Sequence, residues 1–67
     1  MEKGSEGDSV KALQILLIGY GYSCGSCGAD GEFGSATENA VEAFQEDMEL
    51  EANGKVESKT WAKLVGV

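Results

Sequence analysis

The feature that most constrains the fold is a segment that occurs twice. The run Asp30-Gly31-Glu32-Phe33-Gly34-Ser35-Ala36-Thr37 resembles the later run Asn53-Gly54-Lys55-Val56-Glu57-Ser58-Lys59-Thr60. In each copy a turn residue and a glycine precede an apolar anchor, a serine and then a threonine. A second pair, Val10-Lys11-Ala12-Leu13-Gln14 and Val41-Glu42-Ala43-Phe44-Gln45, has the spacing of an amphipathic helix. The repeats predict two related loop–helix units.

The length of 67 residues limits the chain to one domain. Helical periodicity dominates, and no strand is predicted, so we expect an all-α fold: three helices joined by long glycine-rich loops. Residues 1–6 resemble a linker remnant, and we assign the domain to residues 7–67. No signal peptide is visible at the N-terminus.

The helix limits follow from caps and apolar spacing. The first helix is predicted over residues 9–20, capped by Asp8 or Ser9 and stopped by a left-handed Gly21. Ser35 and Glu38 predict a capping box for the second helix, and Ser58 is the predicted cap of the third, which ends before Gly66. The predicted inward-facing residues are Val10, Leu13, Leu16, Leu17, Tyr20, Thr37, Ala40, Val41, Phe44, Met48, Thr60, Trp61 and Leu64.

Charge and composition exclude several functions. The chain has five lysines and twelve acidic residues, which give it a formal net charge of -7. A protein that binds nucleic acid or an anionic membrane needs a basic surface instead. The longest apolar stretch is far too short to span a bilayer. Without histidine, neither a Ser/His nor a Cys/His catalytic pair can form. We predict neither an enzyme nor a bound cofactor.

Two cysteines, Cys24 and Cys27, form a CxxC spacing in the loop before Asp30. A redox motif needs a helix N-terminus under the first thiol, and a zinc site needs two further ligands, so neither fits. A local disulfide and an incidental pair stay open, and a structural or incidental role is favoured. Calcium is rejected because an EF-hand register with Gly31 at its sixth position leaves too few carboxylates.

Taken together, the motifs resemble the type 1 peptidoglycan-binding domain, the three-helix module of many bacterial and phage wall hydrolases. The matching elements, over about residues 7–65, are Gly7-Asp8-Ser9-Val10, Leu13-Gln14, Leu17, Gly21-Tyr22, Asp30-Gly31-x-Phe33-Gly34-x-x-Thr37, Ala40-Val41-x-x-Phe44-Gln45, Gly54, Val56 and Thr60-Trp61-x-x-Leu64. Asn53 and Glu57 depart from the usual aspartate and glycine. The long loop that holds both cysteines implies that ligand preference differs from that of relatives.

The candidate ligand site is the groove between this loop and the second helix, where glycines permit close approach. Asp30 has two interpretations: it bonds a ligand, or it caps its own turn while Gly31 supplies a positive φ, and the second is favoured. Phe33 and Trp61 are expected in the core. The predicted ligand-binding residues are Tyr20, Tyr22, Ser23, Asp30, Glu32, Ser35 and Asn39.

The resemblance implies a non-catalytic module that binds the glycan or stem peptide of peptidoglycan. It would concentrate a tethered lytic enzyme, such as an N-acetylmuramoyl-L-alanine amidase, on its substrate. We expect a monomer that works outside the cell or in the wall, within a larger exported or phage-released protein. The alternative is a structural or protein-interaction domain that keeps the fold without binding the wall.

Overall fold

The computed structural model describes residues 1–25 and 28–66, and contains three helices in that part of the chain. These are α1 (Asp8–Gly19), α2 (Ser35–Asp47) and α3 (Ser58–Val65). Within the same residues the β structure is one isolated antiparallel bridge, between Glu6 and Glu32. The predicted all-α class is confirmed, with helix limits within one residue of those expected for α1.

Helix α1 is the shared partner, packing against both α2 and α3. Its apolar face meets Phe44 at the centre of the core, where Leu13, Leu17 and Val41 are also fully buried. Phe33 and Val56, the apolar anchors of the two repeated segments, are both buried, as the repeat predicts. Among the described residues, the apolar core consists of Val10, Leu13, Leu17, Cys24, Phe33, Ala40, Val41, Phe44, Val56 and Leu64.

All three predicted side-chain caps are wrong. The N-cap positions are Gly7, Gly34 and Glu57, and none makes a side-chain capping hydrogen bond. Each helix therefore begins one residue after a position whose side chain does not cap it, and Ser35 and Ser58 already lie inside the first turn. Gly7 donates its N–H to the Gly31 carbonyl at 2.9 Å, so pairing with the loop sets the start of α1.

Backbone hydrogen bonds define the C-terminal ends of α1 and α2. After α1, Gly21 (φ 99) donates to the Ile18 carbonyl and Tyr22 to the Leu17 carbonyl, which is a Schellman motif. After α2, the same two bonds run from Glu49 to Glu46 and from Leu50 to Gln45. Helix α3 ends before Gly66, as predicted, and Gly66 adopts the left-handed conformation.

The predicted inward faces need two corrections. Met48 is 37% exposed because α2 ends at Asp47 and the chain turns away at that point. Tyr20 is 48% exposed, although its ring packs on Phe44 with centroids 5.4 Å apart. Leu16 and Trp61 are half-buried at the edge of the core.

The first six residues, assigned to a linker from sequence, pair with both repeated segments. Met1 and Val56 exchange hydrogen bonds of 2.9 and 2.7 Å through their nitrogens and carbonyl oxygens. Gly4 donates to the Phe33 carbonyl and Phe33 donates to the Ser5 carbonyl, both at 2.9 Å. We call residues 1–6 the N-terminal strap. The domain limit at residue 7 stays a prediction.

Candidate functional site

The Asp-Gly turn at Asp30-Gly31 is held by the buried side chain of Gln14. The Gln14 Nε2 group contacts Asp30 Oδ1 at 3.1 Å, the Glu32 carbonyl at 2.9 Å and Thr37 Oγ1 at 2.9 Å. Its Oε1 atom accepts the Gly31 N–H at 2.7 Å. Because Gln14 has 0% exposure, these bonds replace its contacts with water and fix the turn against α1 and α2.

The Asn-Gly turn at Asn53-Gly54 is held in the same way by Gln45. The Gln45 Nε2 group contacts Asn53 Oδ1, the Lys55 carbonyl and Thr60 Oγ1 at 3.2, 2.8 and 3.1 Å, and Oε1 accepts the Gly54 N–H at 3.1 Å. We call each arrangement a glutamine clamp. The sequence analysis missed both clamps, although each repeated helix pattern ends in glutamine and each repeated turn ends in threonine.

Asp30 also bonds its own turn, as the favoured interpretation predicts. Its Oδ1 atom accepts the Glu32 N–H at 3.0 Å, and Gly31 adopts a φ of 81°. These bonds to Glu32 and Gln14 stabilise the carboxylate and lower the pKa of Asp30 below its usual value. Asp30 is thus an ionised, exposed side chain in a fixed position.

A shallow depression of about 230 Å³ opens beside this turn, and we call it the Asp-Gly depression. Gly25 brings the loop unusually close to α2 on one side, because a Cβ atom there would lie 2.9 Å from the Ala36 Cβ. The lining contains two carboxylates and no lysine, so its field favours cations and hydroxyl donors. The lining residues are Cys24, Gly25, Asp30, Glu32, Gly34, Ser35, Ala36 and Thr37.

The predicted ligand-binding residues separate into three groups. Asp30, Glu32 and Ser35 line the Asp-Gly depression. Tyr22 and Ser23 line an adjoining depression that shares Cys24 and Gly25 with it. Tyr20 and Asn39 line neither of these depressions.

The two tyrosines fasten the end of α1 to the other helices. The Tyr20 hydroxyl donates to the Leu64 carbonyl at 2.8 Å, near the end of α3. The Tyr22 hydroxyl donates to the Asp47 carboxylate, and its ring meets Phe44 edge-on at 5.8 Å. The bond to Asp47 raises the pKa of Tyr22, because the neutral hydroxyl is the donor. Both tyrosines therefore have structural partners, and Tyr22 is the stronger ligand candidate because it also lines a depression.

Cys24 is buried under the loop, with Sγ 3.9 Å from the Gln14 carbonyl oxygen. Burial raises the pKa of this thiol, so the unreactive protonated form is favoured. Cys27 lies outside the described residues, and the disulfide interpretation stays open.

Within residues 1–25 and 28–66, no group of three His, Cys, Asp or Glu side chains is placed so that it could hold a metal ion. Within the described chain, no helix has the length and apolarity needed to cross a membrane.

Comparison with known proteins agrees with this architecture. Residues 6–64 match the family described as "Putative peptidoglycan binding domain". The zinc D-Ala-D-Ala carboxypeptidase of Streptomyces albus G is 38% identical over 64 residues, which cover 96% of this chain and 25% of that enzyme. A probable N-acetylmuramoyl-L-alanine amidase of Bacillus licheniformis is 39% identical over 54 residues, or 81% of this chain and 15% of the amidase.

Among solved structures, the SleB N-terminal domain superposes with a TM-score of 0.91 at 35% identity, covering 98% of this chain and 88% of that one. The fold and its glutamine-clamped loops define a small all-α binding module. The chain belongs to the peptidoglycan-binding domain family, as its sequence motifs predict. It spans a quarter or less of the curated relatives that it matches.

Proposed function

We propose that this domain binds peptidoglycan through the Asp-Gly depression. The observation that supports this proposal is the Gln14 clamp, which holds the Asp30 side chain and the backbone around Gly31 and Glu32 in one arrangement. A site fixed before binding loses little conformational entropy when a ligand arrives. Carboxylate and hydroxyl groups at Asp30, Glu32 and Ser35 suit the hydroxyl, amide and ammonium donors of a glycan or stem peptide.

Binding would serve a catalytic domain in the same protein. Carboxypeptidase and amidase relatives are several times longer than this chain. We infer a parent peptidoglycan hydrolase, for which the domain raises the local substrate concentration without contributing chemistry. We also infer that the parent acts outside the cytoplasm, at the wall, and that the domain is a monomer there.

Sedimentation with purified sacculi tests the proposal. Wild-type domain should pellet with sacculi, and Glu32→Gln should pellet at least fivefold less, because a carboxylate of the depression is lost. The Glu32 side chain is exposed and only its backbone takes part in the clamp, so folding should be preserved. Glu46→Gln, the same charge change at an exposed position on α2, is the matched control. If the Glu32→Gln and Glu46→Gln variants pelleted equally, the Asp-Gly depression would not be the binding site.

Titration with soluble muropeptides separates this function from the alternative of a structural or protein-interaction domain. Under the proposal, amide chemical shifts change within residues 20–39 and saturate. A domain that keeps the fold only for protein contacts would show no change with muropeptides, and shifts would appear only when the parent's other domain is added.

A further inference from the structure

The repeat that relates the two turns also relates two depressions. An offset of 23 residues carries Asp30 to Asn53. At the same offset, six of the eight residues lining the Asp-Gly depression have counterparts that line a second depression of about 440 Å³, here called the Asn-Gly depression. The counterparts are Asn53, Lys55, Glu57, Ser58, Lys59 and Thr60.

The Asn-Gly depression has the same kind of rigid wall as the proposed peptidoglycan site. Gln45 is 1% exposed and fixes the turn through Asn53, the Lys55 backbone and Thr60. Gly54 also packs tightly, because a Cβ atom there would lie 2.8 Å from Glu38 Cγ. The side chains of Lys55 and Lys59 are exposed and take no part in the clamp.

The charges of the two depressions differ at the equivalent positions. Glu32 is replaced by Lys55, Ala36 by Lys59, and Asp30 by the neutral Asn53. Two of the five lysines of the chain therefore line the Asn-Gly depression. Its other charged lining residues are Glu49, Glu51 and Glu57, and Glu57 stands where the Asp-Gly depression has Gly34. The lining of the Asn-Gly depression therefore carries both lysines and carboxylates, whereas that of the Asp-Gly depression carries carboxylates alone.

We propose that the Asn-Gly depression is a second ligand site, which takes a short zwitterionic peptide. The peptide's carboxylate lies toward Lys55 and Lys59, and its ammonium group lies toward Glu49 and Glu51. Complementary charge sets the orientation and excludes peptides that lack either group. The choice of a peptide ligand rests on the proposed function, since peptidoglycan is the polymer that would present such a group.

Chemical-shift titration of the wild-type domain tests the proposal. The probe is the stem tripeptide N-acetyl-alanyl-isoglutaminyl-lysine, whose charged groups are one side-chain ammonium and one terminal carboxylate. We expect saturable shifts of amides in residues 49–60. The C-terminal amide of the same tripeptide should bind there at least fivefold more weakly, and so should the derivative acetylated on its side-chain amine.

Two pairs of lysine substitutions provide a test variant and its matched control. Lys55→Gln combined with Lys59→Gln should weaken tripeptide binding at residues 49–60 at least fivefold and leave shifts in residues 30–37 unchanged. Lys3→Gln combined with Lys63→Gln removes the same charge from exposed positions outside the depression and should leave both sets of shifts unchanged. Preserved amide spectra of the free variants establish that each is folded.

The outcomes separate the two proposals. Shifts in residues 30–37 without shifts in 49–60 overturn the second site alone. Equal affinity of the tripeptide and its amide at residues 49–60, or equal losses in the two double variants, also overturn it. Shifts in 49–60 without shifts in 30–37 support the second site, and a glycan-bearing muropeptide that also leaves residues 30–37 unshifted contradicts the proposed location of wall binding.

Discussion

At the scale of single residues, Gln14 and Gln45 do more for this domain than their polarity suggests. Each places one amide group among donors and acceptors that would otherwise be buried without partners. Buried side-chain nitrogen and oxygen atoms in the described residues are all hydrogen-bonded as a result. A buried polar group that is fully satisfied specifies one arrangement, because any shift leaves a partner unpaired.

Replacing either glutamine with methionine, which has a similar volume, should destabilise the domain. The change leaves the Gly31 or Gly54 N–H and a threonine hydroxyl without a partner, at a cost of about 2–3 kcal/mol in the free energy of unfolding. Urea denaturation measures this loss. If the two variants lost less than about 0.5 kcal/mol, the clamps would be incidental contacts.

The wild-type dependence of stability on pH should be partly due to Asp30. Its pKa is lowered in the folded state, so its contribution is present above the ordinary aspartate pKa of about 3.9 and disappears as the pH falls toward the lowered value. Asp30→Asn should therefore be less acid-sensitive than wild type in urea denaturation between about pH 6 and 2.5. Asn53→Asp provides the reverse test, since it should gain acid sensitivity at the equivalent turn.

At the scale of the helices, the sequence predicted the presence and length of the helices better than it predicted their N-caps. Apolar spacing of three and four residues is set by the helical period, so Val10, Leu13 and Leu17 were placed correctly. The start of each helix depended on tertiary pairing such as Gly7 with Gly31, and local propensity could not show that pairing. The candidate site was predicted in part. Asp30, Glu32 and Ser35 line the same depression, whereas the Tyr20 hydroxyl donates a hydrogen bond to the Leu64 carbonyl of α3.

Because Ser35 makes no capping bond, its removal should have little effect. Ser35→Ala and Ser58→Ala should each change the free energy of unfolding by less than about 0.5 kcal/mol, compared with about 1 kcal/mol for loss of a serine cap. Thermal or urea unfolding distinguishes these values. A loss near 1 kcal/mol would restore the capping box predicted from the sequence.

The end of α2 stores strain at Glu49, which has a φ of 60° where α1 has Gly21. A side chain in the left-handed region costs about 1–2 kcal/mol, and glycine does not have this cost. Glu49→Gly should stabilise the domain by up to about 1 kcal/mol, after the greater flexibility of the unfolded chain is subtracted. Glu46→Gly, inside α2, should instead destabilise by about 1 kcal/mol. Denaturation midpoints that move in the same direction for both variants would contradict this explanation.

At the scale of the whole molecule, the N-terminal strap joins the two repeated units. Deleting residues 1–5 removes the backbone bonds to Val56 and Phe33, and with them the contact of Met1 with the core. We expect a loss of at least about 2 kcal/mol, because four hydrogen bonds are lost at roughly 0.5–1.5 kcal/mol each. Glu2→Ala with Lys3→Ala keeps the backbone pairing and removes only exposed side chains, so its midpoint in urea should match wild type. An equal loss in both would assign the effect to the side chains.

The hydrogen bonds of the two clamps and of the N-terminal strap also form at different times during synthesis on the ribosome. Every partner of Gln14 is available once Thr37 has left the ribosome, so the first clamp can form before α3 does. The bond between Met1 and Val56 spans nearly the whole chain and must wait for the second turn. Until then α1 has only one of its two helical partners. A nascent chain whose first 50 residues have left the ribosome should therefore display the Asp-Gly turn in native form while α1 still exposes the surface that α3 will cover.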